Sequence, residues 1–217
     1  MKIIKLKKID STQDYLKKIL ESQPSEQDYL VITEKQTHGI GRHGNQWEHI
    51  SDSLACSFTL APNPTLTLSS IEIAVLITEY FQQKHNFTLQ LKWPNDLFYQ
   101  GKKCGGILIH IHNNQLIVGL GVNALGDEFQ QVDMRTGLNS DYLDAERIVQ
   151  FIHDNRIQDD SSLKKQWLDH CLHLNKKVNA GNKTGLFIGL GDYGEAIIEN
   201  EQGIDKVISG SLRCLFL

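Results

Sequence analysis

Apolar and polar residues run in short blocks along the chain, and their period changes from block to block. Residues 2–9 read as a strand. Ser11-Thr12-Gln13-Asp14 then offers caps to a short helix with Leu16, Ile19 and Leu20 on one face. Residues 29–33 (YLVIT) and 54–60 (LACSFTL) read as strands, separated by a polar, glycine-containing stretch over 34–53. Ser69 and Glu72 have capping-box spacing, which predicts a buried helix over 70–85. Short strands follow at 88–93, 97–100, 104–112 and 115–122, with Gln100-Gly101 and Asn113-Asn114 as turns. Helices are predicted over 143–154 and 161–172. From 176 to 217 the pattern holds short strands separated by Gly and Asn. Closing such a short sheet on itself removes its exposed edges, so this tail reads as a small barrel-like domain. Strands joined by tight hairpins rather than helices argue against a doubly wound parallel sheet. The expected architecture is α/β (α+β): an extensive, largely antiparallel sheet with flanking helices over 1–173, then a small all-β domain over 174–217.

Composition narrows the classes of function. The chain has 217 residues, 40% hydrophobic and 22% charged, which suits a folded domain with a small appendage rather than a disordered chain. Its formal net charge of -4 carries no cationic excess to neutralise phosphates, which argues against a nucleic-acid partner. Lysines interrupt the apolar residues of MKIIKLKKID, so no signal-peptide core is present, and no apolar run approaches the roughly 18 residues of a membrane span. Cys56, Cys104, Cys171 and Cys214 lack paired-ligand spacing, which argues against a zinc site or a disulfide framework. Reduced thiols in a cytoplasmic protein are the expectation.

Three segments carry candidate chemistry. In QTHGIGRHGNQW, residues 36–47, Gly39, Gly41 and Gly44 alternate with basic or polar residues. Glycine content alone reads as a surface loop; with Arg42 among the glycines, the same segment has the makings of a concave anion site. It lacks the terminal Gly-Lys-Ser/Thr of a nucleotide P-loop. In LKWPNDLFYQGKKCGGIL, residues 91–108, Lys92, Trp93, Asn95 and Asp96 surround a proline-fixed turn, and Lys102, Lys103 and Gly105-Gly106 follow on the returning chain. Taken singly, Trp93 reads as core, Asn95-Asp96 as turn chemistry and Lys103 as solvated surface. In VGLGVN, residues 118–123, Gly119 and Gly121 interrupt an apolar strand, which marks close approach by a backbone or ligand. Asn123 ends that strand as an adenine reader or a simple terminator. His110 and His112 share a strand face but have no evident third ligand, so they read as ordinary strand histidines.

These segments, in this order and spacing, resemble the biotin protein ligase family. The likeness is closest at KWPND and at the Lys-x-Gly-Gly-Ile-Leu that begins at Lys103. The glycine segment with Gln36, Gly39, Gly41, Arg42, Gly44 and Trp47 is similar to the family's biotin loop, and Ser11-Thr12 to its early Ser-Thr-Asn motif. Gln13 departs from the usual Asn, and Ile40 and Asn45 stand where the loop usually carries Arg. The resemblance implies a class II aminoacyl-tRNA synthetase/biotin synthetase-like fold with a small C-terminal SH3-like β-barrel. Because the Ser-Thr motif directly follows the first strand, it also implies a monofunctional form without an N-terminal DNA-binding domain.

The resemblance further implies an ATP-dependent ligase that makes biotinyl-5′-AMP and passes biotin to a lysine of a biotin carboxyl carrier protein. ATP, biotin and Mg²⁺ are then the expected ligands. Arg42, Lys103 and Asp96 are the implied catalytic residues, Asp96 orienting the carrier lysine or holding Mg²⁺ through water. Biotin would meet Ser11, Thr12, Gln36, Gly39, Arg42, Lys103, Gly105 and Gly106. ATP and the adenylate would meet Gly41, Arg42, Gly44, Trp47, Lys92, Asn95, Lys103 and Asn123. Residues 38–46 are expected to order only around ligand. Family members dimerise through sheet edges in some cases, so a homodimer stays open. A lipoate ligase or octanoyltransferase, and a non-catalytic binder of biotin or its adenylate, remain the competing readings.

Overall fold

The computed structural model describes residues 1–22, 27–47, 53–123 and 143–214. In chain order the elements are β1 (Lys2–Leu6), α1 (Thr12–Ser22), β2 (Tyr29–Thr33), β3 (Gly39–Ile40), β4 (Gln46–Trp47), β5 (Ser53–Leu60), α2 (Ser69–His85), β6 (Gln90–Lys92), β7 (Asp96–Tyr99), β8 (Lys102–His112), β9 (Gln115–Asn123), α3 (Ala145–Asp154), α4 (Asp160–Asp169), β10 (Lys177–Ala180), β11 (Lys183–Leu190), β12 (Ala196–Asn200), β13 (Gly203–Val207) and β14 (Arg213–Cys214). Residues 1–62 and 102–155 form one compact unit, and residues 63–101 and 156–217 a second.

In the first unit the strands lie in the order β1-β2-β5-β9-β8. Only β1 and β2 run parallel; β2–β5, β5–β9 and β8–β9 are antiparallel, so the expected largely antiparallel sheet is present. The turn between β8 and β9 falls where Asn113-Asn114 predicted it, with both residues at positive φ (45° and 62°). Strand alternation divides β5 cleanly. Leu54, Cys56, Phe58 and Leu60 are one set, all buried, and Phe58 meets the His153 ring of α3. Ser53, Ala55, Ser57 and Thr59 occupy the opposite face, the face that α1 covers. Ser11 caps α1 as expected, its Oγ accepting from the Asp14 N–H at 3.2 Å. Leu16 and Leu20 of α1 then pack with Tyr29, Val31 and Ile117 as one buried cluster. Full burial of a leucine of this kind contributes about 1.5–3 kcal/mol.

In the second unit α2 is apolar on nearly all sides, with Ile71–Thr78 buried throughout, and it packs against α4. The capping box expected from Ser69 and Glu72 does not form. Leu68 is the N-cap, without a side-chain cap, and Ser69 Oγ instead accepts from the Asn63 N–H. Glu72 turns inward, because the fold delivers stronger partners: the Arg156 Nε and Nη2 groups donate to it at 2.7 and 2.9 Å, the Ile157 N–H at 2.9 Å and Asn63 Nδ2 at 3.0 Å. Helix α4 ends at Asp169, short of the expected 172; the chain continues there in turns, with Cys171 in a single bridge to Leu91 of β6. Leu91 N–H donates to His170 O, and Leu172 N–H to Leu91 O, both at 2.8 Å.

The tail forms the strands its pattern predicts, as an antiparallel five-stranded sheet in the order β13-β12-β11-β10-β14. The expected closed barrel is not present among the described residues. Among the described residues the end strands β13 and β14 do not pair, and Arg213 and Cys214 of β14 meet Asn179 and Val178 of β10. Residues 215–217 lie outside the described residues. No helix among the described residues is long and apolar enough to cross a membrane.

Candidate functional site

In the first unit, the α1 face of the sheet is floored with small residues. Directly opposed residues in antiparallel strands share a face. Ser57 stands opposite Gly119, and Ala55 opposite Gly121, which in turn faces Gly106 of β8. The result is a strip of Ser, Ala and Gly across three strands, where larger side chains would fill the space above the sheet. Trp47 lies on this strip. A β-carbon on Gly121 would stand 2.5 Å from Trp47 Cε2 and 2.6 Å from Cζ2, so glycine is required for the indole to rest there. The buried Trp47 Nε1 has no hydrogen-bond partner among the described residues. Donors left over in this way suit a ligand, because a buried unpaired N–H otherwise costs free energy.

The glycine segment is a small hairpin. Gly39 pairs with Trp47 and Ile40 with Gln46. Arg42–Gly44 forms a short 3₁₀ turn at its tip, closed by Gly41 N–H donating to Asn45 O at 2.7 Å, with His43 and Gly44 at positive φ. Arg42 is half-buried there. The hairpin is anchored on its approach side, where Thr37 Oγ donates to Asp10 at 2.6 Å and Thr37 N–H to Ile9 O at 3.0 Å.

Behind the hairpin is a buried polar cluster. Thr12 N–H donates to Gln36 Oε1 at 2.8 Å. Thr12 Oγ lies 2.8 Å from Ser57 Oγ and 3.1 Å from Gln36 Oε1. Ser57 Oγ donates to Gln13 Oε1 at 2.9 Å, and Gln13 Nε2 donates to Ile117 O at 2.9 Å. Ser11, Thr12, Gln13 and Ser57 are all buried. The Gln36 amide nitrogen lies alongside Gly39, 3.1 Å from where a β-carbon would stand. This cluster is uncharged and mixes donors with acceptors, which suits a neutral amide-like or urea-like ligand.

The structure therefore brings Thr12 and Gln36 together, links Gln36 to Gly39 and Gly39 to Trp47, and sets Trp47 over Gly121 opposite Gly106. Ser11 is spent in part on capping α1. Lys103 is exposed at the start of β8, two positions before the buried Gly105, and Asn123 ends β9 opposite Ser53. Lys92, Asn95 and Asp96 belong to the second unit. There Lys92 and Asp96 oppose each other across the β6–β7 hairpin, and the Lys92 ammonium sits 5.5 Å over the Phe98 ring. Trp93 is buried and donates from Nε1 to Gly194 O at 2.8 Å, so the turn of KWPND is pinned within its own unit.

Ser57 was missed by the sequence reading, which marked Gly119 only as a point of close approach and Gln13 only as a departure from a motif. A signal for Ser57 is present in the alternation Ser53, Ala55, Ser57, Thr59, which sets small and polar residues against an apolar face. The cysteines take no part: burial pushes the thiols of Cys56 and Cys104 up to about 12, so neither supplies a thiolate. No group of three or more His, Cys, Asp or Glu able to hold a metal occurs among the described residues.

Residues 6–124 match the model of the Biotin/lipoate A/B protein ligase family. The bifunctional ligase/repressor BirA of Bacillus spizizenii is 27% identical over 214 residues, covering 84% of this chain and 65% of the relative. The human biotin–protein ligase is 23% identical, covering 89% of this chain and 31% of the relative. The match thus spans less than two thirds of the length of these relatives. The biotin protein ligase of Aquifex aeolicus, solved in complex with biotin and ATP, superposes with a TM-score of 0.77 at 27% identity, covering 98% of this chain and 97% of that one. The biotin acetyl coenzyme A carboxylase synthetase of Helicobacter pylori shares the fold at a TM-score of 0.73, with 22% identity and coverage of 94% and 99%.

Proposed function

We propose that this chain, which belongs to the Biotin/lipoate A/B protein ligase family, is an ATP-dependent ligase that joins biotin to a lysine of a biotin carboxyl carrier protein. The observation that carries the reading is the uncharged Thr12–Gln36 cluster behind a glycine hairpin, bordered by a strip of small residues. Biotin's ureido ring needs neutral donors and acceptors in a buried slot, and its aliphatic chain needs space over a floor without large side chains. Thr12, Gln36 and the backbone at Gly39 supply the first; Gly106, Gly119 and Gly121 supply the second.

In the first step the biotin carboxylate attacks the α-phosphate of ATP, a new P–O bond forms and pyrophosphate leaves. The problem is an anion approaching a polyanion, and positioned cations reduce its cost. Arg42, at the hairpin tip, and Lys103, at the head of β8, are the cations assigned to this task. Trp47 and Asn123 would border the adenine, with Trp47 Nε1 a donor still to be used. Mg²⁺ would neutralise phosphate charge, and the single carboxylate of Asp96 suits it, since Mg²⁺ commonly takes one or two carboxylates with the substrate's own phosphates. In the second step the carrier lysine attacks the biotinyl carbonyl and AMP leaves, with Asp96 the candidate for orienting the amine. The mixed anhydride is prone to hydrolysis, so the 38–46 segment closing over it would exclude water. A cytoplasmic location is part of the same reading, supported by ATP as co-substrate and by the free thiols of Cys56, Cys104, Cys171 and Cys214.

The test is transfer of biotin from biotin and ATP to a carrier domain, with pyrophosphate release measured alongside. Lys103→Ala is expected to slow transfer by about 10²–10³, the loss seen when a preorganised donor to a developing anion is removed. Arg42→Ala is expected to impair pyrophosphate release as well. Lipoylation without biotinylation would point to the other branch of the family, and ligand binding without pyrophosphate release to a non-catalytic binder.

A further inference from the structure

We propose that Lys8 and Lys35, side by side at the foot of the glycine hairpin, form a cationic docking point for acidic side chains of the protein that receives biotin. The inference rests on the ligase reading above and adds to it a surface that adenylate formation does not use.

Strand register places the pair. β1 and β2 run parallel, with Leu6 beside Thr33. Ile9 bridges Gln36 at the same offset, and Ile9 N–H donates to Lys35 O at 3.0 Å. Lys8 therefore falls beside Lys35, and Lys7 beside Glu34, all four exposed. Two ammonium groups side by side repel. Neither Lys8 nor Lys35 makes an ion pair among the described residues, whereas Lys5 pairs with Glu146 and Lys17 with Glu21. Asp10 is engaged elsewhere: it accepts from Thr37 Oγ at 2.6 Å and faces His38 Nδ1 at 3.4 Å, and the Lys18 charge also acts on it. Lysine commonly protects an open sheet edge, which accounts for the lysines of β1, the edge strand. Lys35 follows β2, which lies between β1 and β5, so edge protection does not account for it.

The location points to the partner. Lys35 directly precedes Gln36, whose Oε1 accepts the Thr12 N–H, and the hairpin begins at Gly39. A protein whose lysine attacks the biotinyl carbonyl must lie over this pocket. Its interface buries about 800 Å² on each side, a disc roughly 16 Å in radius. The hairpin strands Gly39–Ile40 and Gln46–Trp47 are short, and at roughly 3.3 Å per residue their foot lies within such a footprint. Carboxylates on the docking protein would relieve the Lys8–Lys35 repulsion and speed association. A nucleic acid is a poorer occupant, because the chain as a whole carries a formal net charge of -4.

The experiment separates the two half-reactions in the double variant Lys8→Glu, Lys35→Glu. Pyrophosphate release from biotin and ATP alone is expected to match the wild type. The KM for a purified biotin carboxyl carrier domain is expected to rise about tenfold or more at low salt, and the gap to close in about 0.5 M NaCl. Urea unfolding checks the fold. The milder double variant Lys8→Gln, Lys35→Gln, expected to raise the same KM about threefold, serves if the charge reversal folds poorly. A carrier KM unchanged in a folded variant overturns the docking role, and so does a rise that salt leaves untouched. A raised KM for ATP with the carrier KM unaltered also overturns it, by giving these lysines to the nucleotide. A wild type that releases no pyrophosphate overturns the ligase reading, and the inference with it.

Discussion

The two compact units each bury a polar cluster, and the clusters are built to opposite plans. In the second unit Glu72 is completely buried as a charge, and every contact it makes is internal: a two-pronged Arg156, the Ile157 N–H and Asn63. In the first unit the Gln13–Ser57–Thr12–Gln36 cluster carries no charge and is satisfied only on its inner side. A closed, charged cluster fixes one packing of the chain, because its carboxylate has no alternative once dehydrated. An open, neutral one leaves hydrogen-bonding capacity directed at whatever enters. Burial of polar groups alone therefore does not mark a site; the capacity they leave unused does.

The largest test of this contrast is Arg156→Ala. It strands the Glu72 charge, and urea unfolding is expected to show a loss of about 3–5 kcal/mol. Ser57→Ala, in the open cluster, is expected to cost only about 1 kcal/mol by the same measurement. Equal losses would erase the distinction.

His173 sharpens the comparison, because it is buried in the second unit with neither ring nitrogen partnered among the described residues and with Phe187 at 4.4 Å between ring centroids. Burial first, then the charges of Lys92 and Lys176, lower its pKa to about 3. The unfolded chain binds that proton near pH 6.5 and the folded chain does not. Stability from this residue is therefore fully present above about pH 6.5 and falls as pH drops toward 3, by up to about 1.4 kcal/mol per pH unit. Unfolding measured from pH 7 to 4 is expected to show that slope, and His173→Leu to flatten it.

A smaller effect is expected at the rim of the open cluster. Gly121→Ala pushes a methyl group into the Trp47 indole, where 2.5 Å is available. Displacing the ring by a fraction of an ångström is expected to raise the KM for ATP about tenfold, with the unfolding midpoint nearly unchanged. An unaltered KM would separate Trp47 from the nucleotide.

Much of the architecture was legible along the chain. Alternation in 54–60, 104–112 and 115–122 marked the central strands, Asn113-Asn114 marked the turn between two of them, and KWPND with the glycine segment supplied the candidate chemistry. These signals survive without a fold because strand period, turn conformation and glycine spacing are decided by neighbours in sequence. Other features required partners from far along the chain. Ser69 and Glu72 have the spacing of a capping box, yet Glu72 is claimed by Arg156, 84 residues away. Gln13 looked like a departure from a motif, and its meaning depends on Ile117, 104 residues on, and on Ser57. The end of α4 lies where the chain at 170–172 meets Leu91. Local patterns determined which elements form; only the tertiary structure decided which buried donors and acceptors meet, because a hydrogen bond over such separations exists only once the chain has closed the loop between its ends.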